Sequence, residues 1–119
     1  MYMPNKEDSL IEDKKIEKYL LNVDHKDGGP KANFFFRFGF KLDDIEAFRN
    51  SMLAHATYRE IETISNDEFG ETYTLICEVP TPDLRNPCIK SVWIVNKGES
   101  KPRLVSAYPE KKSDNNNGE

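Results

Sequence analysis

Nowhere in this sequence do apolar residues run for the roughly 18 positions that a membrane-spanning helix needs. An apolar stretch is also missing from Met1–Leu10, where Lys6, Glu7 and Asp8 stand, so no secretory signal is expected and a cytoplasmic location is. Cysteine is scarce: only Cys77 and Cys88, without C-x-x-C spacing and far from His25 and His55, which excludes a clustered zinc site. Buried free thiols are the expectation for both, since a cross-strand disulfide, though open geometrically, is disfavoured in a reducing compartment. No glycine-rich phosphate loop, HExxH or GxSxG occurs, and no metal or other cofactor is expected. An excess of positive charge is lacking too. The net charge of −4 excludes nucleic-acid binding driven by overall charge. Between Asp13 and Pro109, however, basic and acidic residues nearly balance, so a basic site would have to be local.

What is present reads as one α+β domain over residues 13–109, with a loosely ordered segment 1–12 before it and a disordered polar tail, 110–119, after it. Ile16, Tyr19 and Leu20 form an apolar stripe at helical spacing, which predicts a first helix over Asp13–Leu21 with Asp13 as N-cap. The segment Asp27-Gly28-Gly29-Pro30 is loop chemistry, and Pro30 suits the start of a second helix, Pro30–Phe38. Phe34, Phe35 and Phe38 share one face of it, and Gly39 is the expected stop. A third helix is predicted over Asp43–Ala56, with Leu42, Ile45, Phe48 and Met52 in its core stripe. The period then changes to that of strands at Thr57–Asn66, Glu71–Val79, Cys88–Asn96 and Lys101–Tyr108. Three helices on one face of a four-stranded antiparallel sheet is the predicted plan.

Two stretches hold groups that do chemistry. The loop Asn22–Lys31 places His25 and Lys31 around a flexible turn, a general acid or base beside a compact positive charge. The last strand alternates, placing Leu104, Ser106 and Tyr108 on one face and Arg103, Val105 and Ala107 on the other. Ser106 and Tyr108 are positioned to hydrogen-bond a phosphate or a ribose hydroxyl, whereas Arg103 points away unless a bulge re-aims it. The plainer alternatives are a polar loop with a solvated histidine, and a strand whose tyrosine packs on the helices. His55 is expected to serve the C-terminal dipole of the third helix, and Trp93 to sit in the core.

The residues Tyr19-Leu20-Leu21-Asn22, His25, Gly29, Lys31-Ala32, Phe34-Phe35 and Gly39-Phe40 stand in one such pattern. Together with Val92-Trp93-Ile94-Val95 and Pro102–Pro109, that pattern resembles an uncharacterised family of short bacterial proteins. The family is similar in turn to toxin nucleases of the barnase/EndoU/colicin/RelE-like class. The resemblance implies a metal-independent endoribonuclease-like domain, the toxin half of a toxin–antitoxin pair. Its implied partners are RNA and a cognate antitoxin or immunity protein. Carried onto this chain, it implies His25 as general acid or base and Lys31 as phosphate contact. It further implies Arg103 as stabiliser of transition-state charge, with Ser106 and Tyr108 as hydrogen-bonding or proton-transferring groups. The opposing expectation is a non-catalytic interaction or antitoxin-like module.

Overall fold

A computed structural model describes residues 1–110 of the chain. A 3-10 turn at Lys6–Asp8 precedes α1 (Asp13–Lys15), which runs directly into a π-helical segment, Ile16–Leu20. Then come α2 (Gly29–Arg37), α3 (Ile45–Tyr58) and the strands β1 (Glu60–Asp67), β2 (Gly70–Glu78), β3 (Cys88–Asn96) and β4 (Arg103–Pro109). The strands form one antiparallel sheet in the order β1-β2-β3-β4, so the α+β plan expected from the periodicity is the one observed.

Local chemistry sets most boundaries. Pro30 lies in the first turn of α2, where no N–H is required, and Gly39 takes a φ of 101° just beyond its end. α3 starts later than Asp43, because Asp44 is the N-cap and accepts a hydrogen bond from the Ala47 amide at 3.2 Å. Leu42 therefore precedes the helix and is exposed rather than buried in its stripe. The first helix departs furthest from expectation. The Leu21 amide reaches back five residues to the Ile16 carbonyl at 2.8 Å, closing the π turn that carries Tyr19.

Phe35 and Phe40 each meet Phe48 edge to face, at 5.0 and 5.1 Å between centroids, and form the aromatic centre of the helical layer. Tyr73, Leu75, Ile89, Trp93, Leu104 and Ala107 supply the sheet's half of the core. The N-terminal segment, expected to be loose, is packed. Met3 is buried in the core cluster, the Ile61 amide donates to the Met1 carbonyl at 2.8 Å, and Leu10 bridges to Arg103 on the outer edge of β4. At the other end, the Glu110 amide donates to the Cys88 carbonyl at 3.0 Å, while the rest of the expected tail, 111–119, lies outside the described residues. The cysteines are not free thiols. Cys77 and Cys88 form a disulfide, because the antiparallel register of β2 and β3 makes them diagonal neighbours with Cα atoms 4.1 Å apart.

The register of β4 also corrects the expected faces. Val92 pairs with Ser106 but Trp93 pairs with Leu104, so β4 carries one extra residue, Val105, at a bulge. Leu104 and Ala107 consequently both point into the core. By the same register Arg103, Ser106 and Tyr108 pair with Ile94, Val92 and Lys90, out of phase with the core-facing Leu104 and Ala107. Arg103 is thus not opposed to Ser106 and Tyr108.

His55 is buried in the last turn of α3 and acts through hydrogen bonds rather than as a cation at the helix end. Its Nε2–H donates to the Cys77 carbonyl at 2.9 Å, which leaves Nδ1 to accept from Ser91 Oγ at 2.7 Å. Ser91 Oγ in turn accepts from Trp93 Nε1–H at 2.8 Å, so every polar atom of this chain is satisfied with the ring neutral. Burial lowers the imidazole pKa to about 4, against the bond to Cys77, and the charge of Arg59 adds to the lowering. Between that value and the ordinary 6.5 the unfolded chain binds the extra proton. Stability is therefore lost as pH falls through this window, by about 3 kcal/mol between pH 7 and pH 4 from this group. Urea unfolding across that range should show the loss, and the His55 ring should stay neutral by NMR down to about pH 4.

Candidate functional site

The π segment, the loop after it and the β4 bulge meet in one open cleft of about 470 Å³ lined by Lys15, Lys18, Tyr19, His25, Asp27, Val105 and Ser106. The loop reaches this position because two glycines let it lie flat. A Cβ on Gly28 would stand 2.1 Å from the Tyr19 carbonyl oxygen, and one on Gly29 would stand 2.6 Å from that of Val23. The loop then folds over itself. His25 Nδ1 accepts the backbone N–H of both Asp27, at 3.0 Å, and Gly28, at 2.9 Å. With Nδ1 so occupied, the neutral ring carries its proton on Nε2 and presents a donor.

Tyr19 stands at the centre. Its hydroxyl shares a hydrogen bond of 3.0 Å with Ser106 Oγ, and its ring meets that of His25 edge-on at 4.9 Å. The ammonium groups of Lys15 and Lys31 each lie 5.2 Å from the ring centroid. Lys31 is held there by a 3.1 Å bond from its Nζ to the Asp27 carbonyl. Partial burial opposes ionisation of the phenol. The bond with Ser106, the contact with Lys31 and the charges of Lys31 and Lys15 together outweigh it and set the pKa below the ordinary 10.0.

Of the five residues singled out in the sequence, His25, Lys31 and Ser106 come together around Tyr19. Arg103 does not join them. Although the bulge turns it to the face of Ser106, its guanidinium pairs with Glu12 at 3.4 Å and Glu99 at 3.5 Å, beside a separate pocket at the β3–β4 turn. Tyr108 lies two residues past Ser106, opposite Lys90, and is not part of the cleft lining. Sequence reasoning missed Tyr19, Lys15 and Lys18 because the tyrosine fits an aliphatic stripe. The available signal was a hydroxyl that such a stripe must leave a partner for, flanked by lysines. Among the described residues, no group of three or more His, Cys, Asp or Glu could hold a metal ion. No helix among them is long and apolar enough to cross a membrane.

A family model described as "Domain of unknown function (DUF6883)" matches residues 2–111. The chain belongs to the DUF6883 family. No curated protein matches it. The DUF6883 fold seen here is similar to a chain of a contact-dependent growth inhibition toxin–immunity protein complex from Klebsiella pneumoniae 342. That similarity has a TM-score of 0.66 and 16% identity, and covers 86% of this chain and 100% of the other.

Two measurements check the geometry. In an ultraviolet or NMR titration Tyr19 should ionise below the ordinary phenol range, and Tyr73, raised to about 12 by burial and by Glu71, should ionise well above it. Lys31→Met should move Tyr19 upward and leave Tyr73 unchanged. Gly28→Ala should cost about 1–3 kcal/mol in stability, because the added methyl must push the loop off the Tyr19 backbone, and should shift the His25 resonances.

Proposed function

We propose that this cleft binds a phosphodiester of RNA and cleaves it without a metal ion. The observation that carries the reading is the Tyr19 hydroxyl, held by Ser106 and flanked by Lys15 and Lys31, beside a histidine that can only donate in its neutral form. In such a reaction the ribose 2′-oxygen attacks the adjacent phosphorus and the bond to the 5′-oxygen breaks. Tyr19, as phenolate, takes the 2′ proton, and the departing 5′-oxygen takes one from solvent in this open cleft. Lys31 and Lys15 offset the charge that builds on the phosphorane, and His25 Nε2–H donates to one of its non-bridging oxygens. Ser106 keeps the Tyr19 oxygen aimed. Arg103 and Tyr108 have no part in this scheme.

The same reading includes a toxin role and a cognate inhibitor protein. Its support is the shared fold with a chain of a toxin–immunity complex. Expression of the protein alone should then arrest bacterial growth, and Tyr19→Phe should relieve the arrest.

Purified protein should cleave RNA in the presence of chelator, leaving 2′,3′-cyclic phosphate ends. Tyr19→Phe should lower kcat/KM by about 10²-fold or more, and His25→Ala by a smaller factor, as expected for a proton-transfer group and a hydrogen-bond donor. With Tyr19 as base, kcat/KM should rise with pH and level off below the ordinary phenol value. RNA left intact by the wild type, or cut equally by Tyr19→Phe, contradicts the proposal.

A further inference from the structure

We infer that a second pocket, of about 380 Å³ and lined by Phe34, Arg37, Phe38 and Arg85, is a nucleotide subsite that stacks one base of the RNA strand and holds its phosphate. The inference rests on the ribonuclease reading of the cleft and extends it along α2. Lys31, Phe34 and Phe38 are spaced i, i+3 and i+7, so they share one face of that helix. From Lys31 to Arg37 is about 9 Å along the axis, within reach of a neighbouring nucleotide.

The pocket's chemistry suits a planar ring that carries an anion. Phe34 and Phe38 meet at 5.0 Å with their planes tilted by 51°. Arg85 lies over the Phe38 ring, 4.4 Å from its centroid. Its guanidinium is fixed by Asp83 Oδ2 at 2.6 Å and by the Arg37 carbonyl at 2.6 Å, so it offers a rigid flat surface with its charge already offset. Arg37 is different. It is exposed, lies 6.0 Å from the Phe34 centroid, and has no carboxylate partner among the described residues. A stacking surface beside a free guanidinium is the arrangement that single-stranded nucleic acid uses, base on the π surface and phosphate on the cation. A bare carboxylate ligand would use Arg37 and leave the flat walls idle. Lys15, Lys18 and Lys31 also give this net-acidic chain a local positive group at the cleft, from which α2 leads to Arg37.

The test compares cleavage of a dinucleotide and a pentanucleotide RNA by wild type and by Arg37→Ala, Arg37→Glu and Arg37→Lys. The wild type should show a KM about tenfold lower for the longer substrate, the gain expected of one stacked base. Arg37→Ala and Arg37→Glu should lose that gain while keeping dinucleotide cleavage and thermal stability, and Arg37→Lys should keep part of it. Pentanucleotide cleavage unchanged in Arg37→Glu overturns the subsite while the ribonuclease reading stands. If no RNA is cleaved, the ribonuclease reading fails, and anisotropy with an uncleavable 2′-deoxy pentanucleotide decides the subsite. Binding weakened by Arg37→Glu supports it, and absent or unaltered binding overturns it.

Discussion

The hydrogen bond between Tyr19 and Ser106 joins two irregularities of backbone that would otherwise have no reason to face one another. One is the π turn Ile16–Leu20, which sends a tyrosine out of an aliphatic stripe whose other members, Ile16 and Leu20, stay buried. The other is the β4 bulge, which inserts Val105 and brings Ser106 to the edge where that tyrosine arrives. Bulges and π turns concentrate where a side chain must be re-aimed. The loop after the π turn completes the arrangement, because Gly28 and Gly29 allow its backbone to touch that of Tyr19 and Val23, and His25 is folded inward by two amides.

The layer beneath is built to hold this edge still. Trp93, Ser91, His55 and Cys77 form a fully satisfied hydrogen-bonded chain that ties α3 to β3 and β2 with no charge buried. The edge of β4 is covered at its beginning by Leu10, which takes the Leu104 amide and gives its own to Pro102. Tyr19 meets β4 at the bulge, where Val105 and Ser106 line the cleft with it. Positive charge follows the same division: Lys15, Lys18 and Lys31 stand on the helical side of the cleft, whereas Arg85, Arg49 and Arg103 are engaged with carboxylates elsewhere. Overall acidity and a basic cleft are therefore compatible in one small chain.

Much of the architecture was legible from residue pattern. Pro30 and Gly39 mark the ends of α2 through backbone requirements that no tertiary contact can waive, and the alternation around Trp93 identifies a buried central strand. The geometry of the candidate site was legible only in part. His25 and Ser106 stand out as residue types, but their common partner Tyr19 hides in a helical stripe, since a π turn has no signature in spacing. Period-2 counting fails at β4 because one extra residue inverts the faces beyond it, which is why Arg103 was set on the wrong side. Arg103 then stays outside the cleft for a reason invisible along the strand, namely its ion pairs with Glu12 and Glu99. The N-terminal segment and the disulfide escaped for a related cause. Both depend on which residues the sheet makes neighbours, not on their own composition.

The central claim is that Tyr19, His25, Lys31 and Ser106 form one anion-recognising unit. Titrating the protein with an uncleavable 2′-deoxy oligonucleotide, while following side-chain and amide NMR signals, tests it without requiring turnover. The account predicts that Tyr19, His25, Lys31 and Ser106 shift together with a single saturation curve, and that Arg103 and Tyr108 stay in place. Shifts confined to the face around Arg103 and Tyr108, or no saturable shift at Tyr19, would contradict it.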